Sequence, residues 1–231
     1  MESKHLSTFS KNRTKKYYKH QRMSDRKSKL ANLLIIFTRN PELGKVKTRL
    51  AKEVGNGSAL DIYEFLLKHT VSVTKNLEVT VEVHYSEEIQ YNDIWDEDFY
   101  IKKQQIEGGL GKKMEDAFLS GFKNGYTNII IIGSDLYDLT REDIELAFKA
   151  LETFEYVLGP AEDGGYYLLG MSTFNSEIFK NKAWGTDTVL RDTLINLKDQ
   201  QIQLLEERND VDVYEDIKDH EEFQQFLQHI K

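Results

Sequence analysis

Four consecutive isoleucines, Ile129–Ile132, constrain this chain more than any other stretch. A strand that is apolar at every position has no face to give to water, so it belongs in a sheet covered on both sides. Such sheets are mostly parallel, and their crossovers are helices. The run leads into Gly133, Ser134 and Asp135, with Asp138 three residues further on. In an open α/β sheet, ligands bind outside the carboxyl ends of the strands. The isoleucine strand therefore sets Ser134 and Asp135 at the ligand edge.

The rest of the chain carries the matching alternation. NLLIIFT, from Asn32 to Thr38, is a second buried strand, and VTVEVHY, from Val79 to Tyr85, alternates with period two. Residues 57–73 read as a helix, with Ser58 and Asp61 in capping-box spacing. The polar, aromatic stretch that follows Tyr85, up to Tyr100, reads as an irregular connection. Leu110, Met114, Phe118 and Phe122 recur at helical spacing and predict a helix with one buried face. Thr140, with Asp143 behind it, caps another helix. EYVLG and GYYLLG flank PAEDG as a hairpin or neighbouring strands, which requires at least one antiparallel strand. TDTVLRDTLINL reads as a helix, IQLLE as a short strand, and DVYEDI as the start of a last helix. The expectation is one α/β domain over residues 30–231, with a mostly parallel central sheet and helices on both faces.

Charge divides the chain. The net −8 splits into +8 over residues 1–29 and −16 over the rest. The basic segment has no apolar periodicity and reads as a disordered extension. The start of the folded protein falls near Met23, and translation starting there is left open. A tail of this kind alone is a weak footing for nucleic-acid binding, and none is expected. The first residues lack the apolar core of a secretory signal, and no apolar run approaches the roughly 20 residues of a membrane span. A cytoplasmic protein is expected. There is no cysteine, and the six histidines are scattered. Any metal is then a hard cation held by oxygen, Mg²⁺ or Mn²⁺.

Four stretches carry candidate chemistry. Asp135 is placed to hold such a cation and bridge it to phosphate, with Asp138 as a second ligand or orienting a water; taken alone, the motif favours the plainer reading, in which Ser134 and Asp135 make turns and Asp138 leads into a helix start. The loop from Phe37 to Leu50 carries Arg39, Lys45, Lys47 and Arg49, a cluster suited to a diphosphate or triphosphate. It is neither a Walker loop nor a dinucleotide fingerprint, because the glycines those need are missing. In GPAEDGGYYLLG, from Gly159 to Gly170, two glycines allow close approach of a ligand. Glu162 or Asp163 there reads as a metal ligand, a hydroxyl acceptor or a general base, or the stretch is simply a turn. In NDVDVYEDI, Asp212 and Glu215 have capping-box spacing, while Asp210 lies just upstream as a possible metal neighbour.

Taken in order, NPELGKVKTRLA, GLGKKMEDAF, IIIIGSDLYDLT, LGPAEDGGYYLLGM, WGTDTVLRDT and DVDVYED resemble the motifs of the DUF2064 family. That family is described as glycosyltransferase-like, or as selenodomain-associated transferases. The resemblance runs from about Asn32 to Ile217. It implies the GT-A, or nucleotide-diphospho-sugar transferase, fold, which also serves nucleotidyltransferases. By that likeness Lys45, Lys47 and Arg49 take phosphate, Asp135 takes the metal, and Asp163 lies on the acceptor side or at the metal. Three positions depart from the family pattern: Leu136-Tyr137 stand for Cys-Pro, Gly109 for an acidic residue, and Val213 for Thr. The function implied is a metal-dependent transferase using a nucleotide-diphospho-sugar and a small acceptor. The alternatives are a nucleotidyltransferase joining NTP to a small phosphorylated acceptor, and a non-catalytic nucleotide-binding domain.

Overall fold

The computed structural model describes residues 31–230. The basic segment 1–29, with Met23, lies outside the described residues. Seven strands form one sheet: β1 (Asn32–Thr38), β2 (Thr80–Tyr85), β3 (Tyr100–Gln104), β4 (Asn128–Ile132), β5 (Tyr156–Pro160), β6 (Tyr166–Met171) and β7 (Ile202–Leu204). Their order is β3-β2-β1-β4-β6-β5-β7. β1 lies parallel to both β2 and β4, and β6 runs antiparallel to β4 and β5. The mostly parallel sheet with an antiparallel insertion is as the sequence pattern requires.

The isoleucine run is buried on both sides. Ile130 and Ile132 join Leu34 and Ile36 in one core layer, under Tyr63 and Leu67 of α1 (Ala51–Thr74) and Ile144 and Phe148 of α3 (Arg141–Ala150). Ile129 and Ile131 join Leu33 and Ile35 in the opposite layer, under Met114 and Phe118 of α2 (Leu110–Lys123). Burying each of these side chains contributes about 2 kcal/mol. Thr140 caps α3 as expected, accepting the Asp143 N–H at 3.2 Å and returning a bond from its own N–H to Asp143 at 2.8 Å.

Three expectations change. α1 starts at Ala51, well before the Ser58 box, and bends at Gly55, whose φ of 80° and ψ of 157° are non-helical. The helix runs through Gly55-Asn56-Gly57 with a kink at Gly55. Leu50 and Val54 continue the buried face into a third core cluster, so packing overrides weak propensity. The stretch up to Tyr100 is an irregular connection as expected, but it leads into a strand, β3, that the sequence pattern does not announce. Its lysines hid it: Lys102 reaches Asp93 at 2.7 Å and Lys103 reaches Glu82 at 2.8 Å, so both charges are satisfied in place. The last helix does not begin at Asp212. Tyr214–Asp216 is a single 3₁₀ turn, followed by a second one at Glu221–Phe223 and the short α5 (Gln224–Leu227), α4 being Val189–Asn196. The cap there is Asp216, not the Asp212–Glu215 pair: Asp216 Oδ2 accepts the N–H groups of Asp212 and Val213, each at 2.7 Å.

The third core cluster has a consequence for chemistry. Val211, Ile217 and Phe223 pack against Leu50, Ile62 and Leu66. The C-terminal segment is thereby laid across the loop after β4, where the Val211 N–H meets the Asp135 carbonyl at 3.5 Å. Among the described residues, no helix is long and apolar enough to cross a membrane.

Candidate functional site

β1 and β4 lie side by side, and the chain leaves them toward opposite halves of the sheet. That is the topological switch point, where the strand ends open a crevice. A cleft of about 730 Å³ lies there, lined by Arg39, Lys45, Lys47, Arg49, Lys113, Ser134, Asp135 and Asp212 among others. Ser134 is buried at its floor. Its hydroxyl donates to Thr38 Oγ1 at 3.3 Å and lies 3.2 Å from the Tyr63 hydroxyl. Tyr63 Oη also accepts the Arg39 N–H at 2.9 Å. Burial pushes the Tyr63 phenol up, so it stays protonated and locks the ends of β1 and β4 together.

The loop after β1 is folded by local devices. Asn40 is buried and ties the loop to the segment after β2, donating to the Glu88 carbonyl at 2.8 Å and accepting the Glu87 N–H at 3.3 Å. Val46 is buried beside it, and Lys47 adopts the left-handed region with φ of 46°, uncommon for a non-glycine. This turn drives the Lys47 side chain inward until it is only 5 % exposed. Its Nζ lies 2.8 Å from Asp135 Oδ2 and 3.2 Å from Asp212 Oδ1. Arg49 Nη1 meets the other oxygen of Asp212 at 3.0 Å. Burial works against the Lys47 charge, but Asp135 and Asp212 outweigh it and hold the ammonium above the ordinary lysine range.

The remaining cations differ. Lys45 is exposed and pairs with Glu42 at 2.7 Å, with Glu87 further off at 3.9 Å. Arg39 is exposed at the cleft and makes no ion pair with a described residue. Lys113, on the first turns of α2, lines the same cleft. It was not singled out from the sequence, although GLGKKM contains it.

Among the acids, Asp135, Asp210 and Asp212 each offer a carboxylate oxygen within 4.8 Å of the others. Asp138 is exposed and outside this trio; Asp212, which its spacing assigns to a helix cap, stands there instead. The reason is tertiary, since the cap is supplied by Asp216 and leaves the Asp212 side chain free to face the cleft. Burial first, and then the charges of Asp135, Asp212 and Asp163, push Asp210 up to about 6, with Lys47 opposing. Asp163 is exposed in its turn, with Oδ1 accepting the Gly165 N–H at 2.8 Å, and lines a second pocket together with Asp135 and Asp210. Three hard carboxylate donors with little other charge compensation than Lys47 and Arg49 fit a Mg²⁺ or Mn²⁺ ion.

Of the departures from the family pattern, Leu136-Tyr137 has a packing role, and nothing in the structure explains Gly109 or Val213. Leu136 is buried, and Tyr137 stacks on Phe65 with ring centres 5.5 Å apart and meets Phe223 edge-on at 5.1 Å. Leu136 packs into the first core layer, and Tyr137 docks the loop after β4 onto the third cluster. Gly109 is the extended N-cap of α2, and Val213 contributes its backbone N–H to Asp216.

Comparison with known proteins bears on the fold and the family. The structure of a candidate nucleotide-diphospho-sugar transferase from Desulfovibrio desulfuricans G20 matches with a TM-score of 0.75 and 27% identity, over 86% of this chain and 94% of that chain. A homologue of Mycobacterium tuberculosis Rv0371c, from Mycobacterium sp. strain JC1, matches with a TM-score of 0.52 and 11% identity, over 86% and 98%. A cytidylyltransferase from Leptospira borgpetersenii serovar Hardjo-bovis matches with a TM-score of 0.51 and 13% identity, over 81% and 83%. The last two share the fold alone. No protein in the comparison with curated sequences matches. The family model described as "uncharacterized protein conserved in bacteria (DUF2064)" matches residues 69–186, just over half of the chain, and spans Asp135 and Asp163 but neither the loop after β1 nor Asp210. The fold is of the nucleotide-diphospho-sugar transferase type, and the chain belongs to the DUF2064 family.

Proposed function

We propose that this chain is a transferase that binds a nucleotide-diphospho-sugar in the cleft between β1 and β4, with a divalent cation on Asp135, Asp210 and Asp212. The observation that carries the reading is the position of Lys47. A buried ammonium bridges two carboxylates at the switch point, inside a cleft rimmed by Arg39, Lys45, Arg49 and Lys113. Anionic and cationic groups thus alternate across one cleft, the pattern that a metal-bound diphosphate complements. When bound, the cation supplies charge neutralisation for the departing diphosphate. The chain's own groups do the rest. Arg39 and Lys113, without a carboxylate partner in the cleft, contact phosphate oxygens. Ser134, locked by Thr38 and Tyr63, keeps Asp135 at the edge.

The test is a thermal melt with Mn²⁺ and a panel of UDP-, GDP-, CDP- and ADP-sugars. At a concentration about tenfold above Kd, a ligand of the folded state stabilises by about 1.4 kcal/mol. For a chain of this length that raises Tm by about 3–6 °C. One sugar nucleotide is expected to give this shift with Mn²⁺ and a smaller one with EDTA. A panel that leaves Tm unmoved sinks the reading. Release of pyrophosphate from an NTP, with sugar nucleotides left intact, replaces it with nucleotidyl transfer.

A further inference from the structure

Past Asp135, on the side away from the cationic cleft, lies a second pocket of about 190 Å³. It shares Leu110, Gly133 and Asp135 with the cleft, so the two chambers meet at that carboxylate. Their chemistry is opposite. The cleft is lined by five Lys and Arg side chains. The described lining of the second pocket contains no Lys, Arg or His; its charged groups are Asp135, Asp163 and Asp210. Its walls are aromatic and aliphatic, with Tyr166, Tyr167 and Trp184 foremost.

The walls are held by close approaches. Trp184 lies against the backbone of Gly111, where an added Cβ would fall 2.4 Å from the indole nitrogen. It meets Tyr166 edge-on, with ring centres 6.5 Å apart and planes at 86°. Gly164, at φ of +83°, touches the Asp187 backbone, leaving 2.3 Å between an added Cβ and the Asp187 carbonyl oxygen. Its own carbonyl accepts the Leu190 N–H at 2.9 Å. The Asp163-Gly164-Gly165 turn therefore clamps the segment bearing Trp184, and the same turn projects the Asp163 carboxylate into the pocket.

We propose that this pocket takes the second substrate, and that this substrate is an uncharged, hydroxyl-rich molecule of the sugar or cyclic polyol class. The inference rests on the transferase reading and deepens it. An indole face beside carboxylates suits a ring with an apolar C–H face and hydroxyl donors at its rim. With the divalent cation of the transferase reading seated on Asp135 and Asp210, the Asp163 carboxylate still faces the pocket, and the described lining offers a phosphate monoester no Lys, Arg or His as a partner, so its charge opposes association there. In the transfer, the acceptor hydroxyl oxygen bonds to the anomeric carbon while the bond from that carbon to the diphosphate oxygen breaks. The electron pair leaves with the nucleoside diphosphate, and the hydroxyl proton passes to the Asp163 carboxylate.

Intrinsic fluorescence titration of the full chain tests this, since Trp184 is one of two tryptophans and the other, Trp95, is buried in the core. The probes are methyl glucoside, methyl mannoside and inositol, each against its monophosphate, with the cleft filled by Mn²⁺ and the nucleoside diphosphate that gives the largest thermal shift. At least one neutral probe is expected to bind about tenfold or more tighter than its monophosphate, a gap of about 1.4 kcal/mol. Trp184→Ala should lose that binding while keeping the nucleotide shift. Asp163→Asn keeps the shape and removes one charge, so it should narrow the gap between neutral and phosphorylated probes. Monophosphates that bind as tightly as the neutral probes overturn the proposal, as does a gap unmoved by Asp163→Asn. Nucleotide binding without binding of any neutral probe overturns it while leaving the transferase reading intact. Neutral binding at Trp184 without any nucleotide shift does the reverse: it removes the transferase reading and keeps the pocket.

Discussion

Lys47→Met is expected to lower the melting temperature by about 6–12 °C in metal-free buffer near neutral pH, and Mn²⁺ is expected to restore most of the loss. Removing one partner of a buried ion pair costs about 3 kcal/mol, because the charges left behind have neither water nor a counter-ion. The lower end of that range applies here, since Asp135 and Asp212 keep side-chain exposures of 38% and 37%. About 2–4 °C per kcal/mol converts the loss into the shift. The sign with pH follows from the raised pKa of Lys47. Its stabilisation is fully present below the ordinary lysine range and fades only as pH climbs through the higher value held in the folded protein, so the deficit should be equal at pH 7 and 9. Below pH 6 the deficit should shrink, because Asp210 then carries a proton and the three acids repel less. Melts at pH 5, 7 and 9, with Mn²⁺ and with EDTA, check all of this. A deficit that neither pH nor Mn²⁺ alters means that Lys47 is a packing element rather than a counter-cation.

The sheet was legible because its signals are local and redundant. Ile129–Ile132 and NLLIIFT are apolar on both faces, which admits few placements other than the middle of a covered sheet. The strand ends point to the edge where the cleft lies, and the loop after β1 lines that cleft. What escaped depends on partners distant in sequence. β3 has lysines at successive positions, and only Asp93 and Glu82, brought by other segments, make them tolerable. Asp212 and Asp216 are the clearest case. The spacing of Asp212 and Glu215 is that of a helix cap, and nothing local says that Asp216 takes the cap and frees Asp212 for the cleft. Asp138 lies outside the carboxylate trio, and Asp212 within it, for the same reason. Asp138 is near Asp135 in sequence, whereas Asp212 arrives through the packing of Val211, Ile217 and Phe223 on α1.

The same crowding makes Asp210 a trade between stability and binding, and Asp210→Asn should expose it. The folded protein keeps the Asp210 proton up to about pH 6, whereas the unfolded chain releases it near 3.8. Between those values the native state binds more protons than the unfolded state, so stability falls as pH rises through the window and stays lowered above it. A full conversion of the shift gives about 3 kcal/mol, and partial exposure of the group reduces that to about 1–2 kcal/mol. Asparagine keeps the shape and carries no charge, so at pH 8 the variant should melt about 2–8 °C higher than the parent. At pH 4 that advantage should largely vanish. Binding moves the other way. A neutral amide in place of one of three carboxylates removes a full charge from the ion's surroundings, and Mn²⁺ affinity by calorimetry should fall by about tenfold or more. Mn²⁺ and Asp210 thus answer one another: the ion relieves the repulsion that raises the pKa, and the charge that costs stability attracts the ion. A variant that is no more stable at pH 8, or that binds Mn²⁺ as the parent does, removes Asp210 from the site and leaves Asp135 and Asp212 paired to Lys47 as a purely structural bridge.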